Sequence, residues 1–131
     1  MGSGRLLVLL TDDELAVWGV IENREHGSDR VRWRCSIFRN EGPRLSSDLI
    51  REATERTIAY WRARYGAAPG VQLTTEIDAA KVRRKRDPGR CFRRAGWEYL
   101  YTTEGAKKGR ADLVVLGAPM HDEAEGKGKD A

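Results

Sequence analysis

Histidine and cysteine are nearly missing from this chain. Its 131 residues hold two of each: His26, His121, Cys35 and Cys91. Two cysteines cannot build a disulfide framework, and the four residues show no spacing that would hold a zinc ion. A metal centre is therefore not expected. His26 falls in a polar turn and His121 near the C-terminal end, so a histidine-based catalytic triad is set aside too. Long apolar runs are also lacking. Leu6 to Leu10 is far short of the roughly 18 apolar residues a membrane span needs. Thr11-Asp12-Asp13-Glu14 follows it at once, unlike a signal peptide, and the cytoplasm is the expected compartment.

Positive charge is plentiful, and it is concentrated. The segment KVRRKRDPGRCFRR, 81–94, contains eight Lys or Arg and one acid, Asp87. Taking those eight from the 24 basic residues leaves 16 against 19 acids elsewhere, so the net charge of +4 is a local feature. A field of this kind attracts phosphates, on a cofactor or on a nucleic acid. Arg83, Arg84, Lys85, Arg86 and Arg90 are the candidate DNA or polyanion contacts. The plainer reading is a solvated helix face, but Pro88-Gly89 interrupts the run. Cys91, Phe92, Ala95 and Trp97 add apolar anchors that tie it to a folded body.

The length fits one domain with a single core, expected over 1–117, followed by a disordered polar tail over 118–131. Strands are expected at Arg5 to Leu10, Leu15 to Ile21 and Val31 to Phe38, joined by polar turns as an antiparallel meander. Gly19 is a possible bulge. In the third strand, alternation places Val31, Trp33, Cys35 and Ile37 on one face. The period then changes. Leu49, Ile50, Ala53, Thr57, Ile58, Trp61 and Tyr65 predict a helix over 45–65, capped by Ser46 or Ser47 and closed by Gly66. Val71 to Ile77 returns to alternation, Pro88 to Ala95 forms a short helix, and Glu98 to Thr103 and Asp112 to Leu116 are closing strands. The order β-β-β-α-β-α-β-β predicts an α+β mixed fold with some parallel pairing across the crossover.

Three features in that order resemble the GNAT superfamily of N-acetyltransferases. Arg39-Asn40-Glu41-Gly42-Pro43-Arg44 precedes the long helix, where the superfamily carries a Gln/Arg-x-x-Gly-x-Gly/Ala loop. Cys91-Phe92-Arg93-Arg94-Ala95-Gly96-Trp97 is similar to its helix ending, with an aromatic after the glycine. The paired strands Tyr99 to Thr103 and Leu113 to Leu116 close the pattern, which covers about Leu15 to Leu116. The strings CSIFRNE, LSSDLIREA and KVRRKRDPGRCFRRAGW also look similar to small phage and prophage proteins akin to Mom-type DNA-modification proteins.

The resemblance implies a reduced GNAT-like sheet and an acyltransferase using acetyl-coenzyme A or another acyl-coenzyme A. It places the pyrophosphate of the cofactor at Arg39, Gly42, Arg44, Ser46 and Ser47, where helix N–H groups favour an anion. Three departures go with it. Arg44 stands where a small residue is usual, the helices that shape an acceptor site have no room, and Phe92 occupies the place of an acidic Tyr.

Glu76 and Asp78, at the end of the fourth strand, are the candidate general bases, against ordinary salt bridges to the basic run. Asn40 and Glu41 border the loop. Cys35 reads as a core residue. Cys91 reads as helix packing or as a thiol activated by neighbouring arginines. Trp33, Trp61, Trp97 and Tyr99 read as packing groups rather than base-stacking platforms. Three functions follow: a coenzyme A-dependent acyltransferase on an amine or nucleic-acid acceptor, a non-catalytic nucleic-acid-binding module of GNAT-like shape, and an assembly partner with a basic docking face.

Overall fold

The computed structural model describes residues 4–24, 31–78, 88–103 and 112–119. Six strands and two helices follow one another as β1 (Arg5–Leu10), β2 (Ala16–Arg24), β3 (Val31–Asn40), α1 (Ser46–Tyr65), β4 (Thr74–Asp78), α2 (Pro88–Arg94), β5 (Glu98–Thr103) and β6 (Leu113–Gly117). The fold is mixed α+β. Its single sheet runs β1-β2-β3-β4-β6-β5, with β3 and β4 parallel and every other neighbouring pair antiparallel.

Both helices lie on one face of the sheet. Leu7, Trp18, Val20, Trp33, Cys35, Ile77 and Leu116 form a single core with Ile50, Ala53 and Trp61 of α1 and Phe92 of α2. Two indoles couple sheet to helix by polar as well as apolar contact. Trp18 Nε1 donates to Thr57 Oγ1 at 2.9 Å, and Trp61 Nε1 donates to Glu22 Oε1 at 2.8 Å. Removing the Trp61 ring would cost about 3–5 kcal/mol, the usual range for a large buried aromatic.

α1 ends as its sequence predicts. Gly66 takes the left-handed conformation (φ 90°) and its amide donates to Arg62 O, a conformation a side chain would strain. Its start differs from the expectation. Leu45 is the N-cap, with no side-chain cap hydrogen bond, and Ser46 is the first helical residue. The Ser46 hydroxyl instead accepts from Asn40 Nδ2.

The third strand departs more sharply. Gly19 pairs with Ile37 while Val20 pairs with Cys35, so Ser36 is an extra residue in β3. A bulge of this kind reverses which side chains face inward beyond it. Trp33 and Cys35 are buried, but Ile37 is 49% exposed. Phe38 faces inward instead, meeting Trp18 and Phe92 edge to face. Gly19 lies opposite the bulge, where a Cβ would come within 2.7 Å of Ile37 Cγ2.

The fourth strand begins at Thr74, leaving Val71 outside it and exposed. Ala118, assigned to the tail on composition, is fully buried. Its amide donates to Leu73 O and its carbonyl accepts from Gln72. The chain is therefore packed through 118. The expected tail beyond 119 and the turn over 104–110 lie outside the described residues.

Candidate functional site

Parallel strands β3 and β4 pair only at Arg34–Thr74 and Cys35–Thr75. Thr75 Oγ1 adds a bond to Cys35 O. The ladder stops where the Ser36 bulge begins. Beyond it, Ile37 to Asn40 and Glu76 to Asp78 share no ladder pair with each other. The parallel ladder is thus confined to the first residues of β4. In general a strand edge without a ladder partner favours an added extended chain with its own amides.

β3 leads directly to the start of α1. There Asn40 organises the turn: its Nδ2 donates to Arg44 O (2.8 Å) and Ser46 Oγ (2.9 Å), and its Oδ1 accepts from the Gly42 amide (2.9 Å). Glu41 N donates to Leu15 O, fixing the turn to β2. Within the helix start, the Asp48 and Leu49 amides turn back to Leu45 O. The Ser46 and Ser47 amides have no partner among the described residues. Helix-start amides without a partner favour an anion through the helix dipole.

Gly42, Ser46 and Ser47 come together at this helix start. Arg44 leans away along α1, where it bonds Glu52 at 2.9 Å. Arg39 lies on the face of the sheet away from the helices, because inward Phe38 and Asn40 flank it, and it sits 4.0 Å from Glu41.

Glu76 is also on the face away from the helices. Arg32 reaches its Oε2 at 3.0 Å and Arg34 its Oε1 at 3.3 Å. Asp78 closes β4, half-buried and in register with Leu113. Phe92 is buried against Trp97 and Phe38 and has no proton to give. Burial pushes the Cys35 thiol up to about 12, as suits a core residue. Cys91 is half-buried in α2. Arg90 is exposed on α2, whereas Arg83, Arg84, Lys85 and Arg86 lie outside the described residues.

A cleft of about 460 Å³ opens beside this site, between the β1–β2 turn and the first half of α1. Trp18, Phe38 and Leu49 line it together with Asp12, Asp13, Arg44, Glu52 and Arg56. In the sequence Asp12 and Asp13 mark only a polar turn, and Glu52 and Arg56 lie about forty residues away. Their meeting is a tertiary event with no local signal, although the Thr11-Asp12-Asp13 turn chemistry was visible. Among the described residues no helix is long and apolar enough to cross a membrane, and no group of three potential metal ligands occurs. No protein-family model matches the chain, and no curated protein or solved structure matches it either.

Proposed function

We propose that this protein is a GNAT-like acyltransferase that takes an acyl group from a coenzyme A thioester and passes it to an amine. The observation that carries the reading is the early end of the parallel β3–β4 ladder at Cys35–Thr75, beside the Ser36 bulge, on the strand that runs to the uncapped start of α1. Coenzyme A suits this arrangement: its pantetheine arm carries amides that can pair with a strand edge, and its pyrophosphate suits helix-start amides.

In the proposed reaction the neutral amine nitrogen attacks the thioester carbonyl carbon. A C–N bond forms, the C–S bond breaks, and the sulfur leaves as thiolate. The proton lost by the amine ends on that thiolate, giving an amide and free coenzyme A. Backbone N–H groups on the β3 edge beyond Cys35 can stabilise the oxyanion that develops on the carbonyl oxygen. A thiol is already a good leaving group, so Phe92 in place of a proton donor does not forbid the reaction.

The candidate bases are the two carboxylates at the end of β4, Asp78 and Glu76, the latter held by Arg32 and Arg34. The test is release of free thiol from acetyl-coenzyme A in the presence of amines. Asp78→Asn should lower turnover by on the order of 10²- to 10⁴-fold, while Glu76→Gln should leave it within a few-fold. Full turnover by Asp78→Asn would remove the base, and no turnover by the parent would remove the reaction.

A second reading, a nucleic-acid-binding module of the same shape, is favoured by Phe92 and by exposed Arg90 and Arg94 on α2 beside the basic run. In that reading the 81–94 segment contacts phosphates of DNA or another polyanion.

A further inference from the structure

We propose that the outer edge of β1 is a self-pairing surface. Two copies of the chain join antiparallel along β1 about a two-fold axis, with Val8 opposite Val8 of the second copy. The proposal is independent of the acyl-transfer reading.

β1 and β5 are the two ends of the sheet, so neither has a further strand on its outer side among the described residues. Proteins guard such edges with charges, prolines or bulges, because free edge amides and carbonyls pair with an added extended chain. β5 is guarded in this way. Its ladder with β6 shifts register between Tyr99 and Tyr101, and Glu98, Thr102 and Thr103 interrupt its apolar content.

β1 has no such guard. Its ladder with β2 runs from Arg5 to Leu10 without a shift, and Leu6 to Leu10 is wholly aliphatic. Leu6, Val8 and Leu10 alternate with buried Leu7 and half-buried Leu9, and are 61%, 51% and 58% exposed on the face away from the helices. The apolar surface continues across the sheet, since Val8 is in register with Gly19 and Gly19 with half-exposed Ile37. An unguarded edge beside a contiguous aliphatic row is a pairing surface.

The sequence of β1 itself specifies the partner. One in-phase antiparallel register overlaps the whole aliphatic run with itself: Leu6 meets Leu10, Leu7 meets Leu9 and Val8 meets Val8. Aliphatic residues then oppose aliphatic residues on both faces, as a two-fold interface asks of a single patch. Charge at the two ends agrees. At the start of β1 the Arg5 guanidinium lies 4.0 Å from the centre of the Tyr65 ring, and that of Arg64 lies 5.4 Å from it. Glu22, 3.6 Å from Arg5, offsets one of these charges. Just past the other end come exposed Asp12, Asp13 and Glu14. Antiparallel pairing sets the basic end of each copy beside the acidic turn of the other, whereas parallel pairing sets like beside like.

The experiment is analytical ultracentrifugation of the full chain over a range of concentrations. The parent should sediment as a dimer, at twice 14.8 kDa. Val8→Lys alters a side chain already half in solvent and brings two ammonium groups together on the axis. It should weaken dimerisation at least tenfold and leave the circular dichroism of the fold unchanged. Asp12→Lys with Asp13→Lys should also weaken it at least tenfold. The register has its own check: oxidised in air, Val8→Cys should give a covalent dimer and Leu6→Cys should not, because only position 8 faces itself at disulfide distance. A parent that stays monomeric, a folded Val8→Lys chain that dimerises as the parent does, or cross-linking that does not favour position 8 would each overturn the proposal.

Discussion

At the scale of single residues, two tryptophans of similar burial carry different polar obligations. The Trp18 indole N–H is matched by Thr57, whereas the Trp33 indole N–H is buried with no partner. Leaving a buried polar group unpaired costs about 1–3 kcal/mol. Trp18→Phe strands the Thr57 hydroxyl, and Trp33→Phe removes an orphan. Denaturant unfolding should therefore show Trp18→Phe to be the more costly by at least about 1 kcal/mol. Equal losses would mean that ring volume alone decides.

Cys35 offers a second residue-scale test. It ionises near 9.0 when unfolded and near 12 when folded, so the fold prefers the protonated thiol. The sign follows from linkage: its contribution is fully present below pH 9 and lost as pH rises toward 12. A thiol-specific reagent at pH 8 should titrate Cys91 alone in the native chain and both thiols in denaturant. Two fast native thiols would contradict the burial of Cys35.

Among the elements, β3 decides the account. Its apolar period was legible over Val31, Trp33 and Cys35, but the sequence Ser36-Ile37-Phe38 fits either parity, since Ile and Phe both suit an inward position. Only the register against β2 shows that Ser36 is extra. Deleting Ser36 should leave Ile37 outward and Phe38 inward while removing the bulge and allowing β4 to pair further along. The variant is expected to fold, with unfolding free energy changed by less than about 2 kcal/mol, and to lose acetyl-coenzyme A binding. Retained binding by a folded deletion variant would show that binding does not depend on the bulge. α1 was legible almost whole, because its period is long and Gly66 marks its end. Its cap was not: two serines suggest capping, yet Asn40 draws the Ser46 side chain into the turn below.

For the molecule as a whole, the order of elements was written in periodicity, and the sheet order could not be. The insertion of β6 between β4 and β5 is a tertiary choice. The cleft shares that origin, since its rims are far apart along the chain. Charge is the global property read most directly. If the basic segment serves a nucleic acid, DNA affinity should fall steeply with salt. Neutralising Arg83, Arg84, Lys85 and Arg86 should flatten the slope by roughly 0.9 per lost phosphate contact. A slope unchanged in that variant would free the segment from this role.

The central claim is that an acyl-coenzyme A is held by the free amides at the start of α1. Ser46 permits a narrow test, because it is the first helical residue and Leu45 before it is extended (φ −66°, ψ 133°). Proline fits that position and its predecessor without breaking a helix bond, but it deletes the Ser46 N–H. The deciding measurement is a calorimetric titration of acetyl-coenzyme A into the parent, Ser46→Ala and Ser46→Pro chains. Ser46→Ala should bind nearly as the parent does. Ser46→Pro should be weakened by about tenfold or more, the loss of one charge-assisted hydrogen bond. A parent that does not bind, or a proline variant that binds as tightly as the parent, would contradict the account.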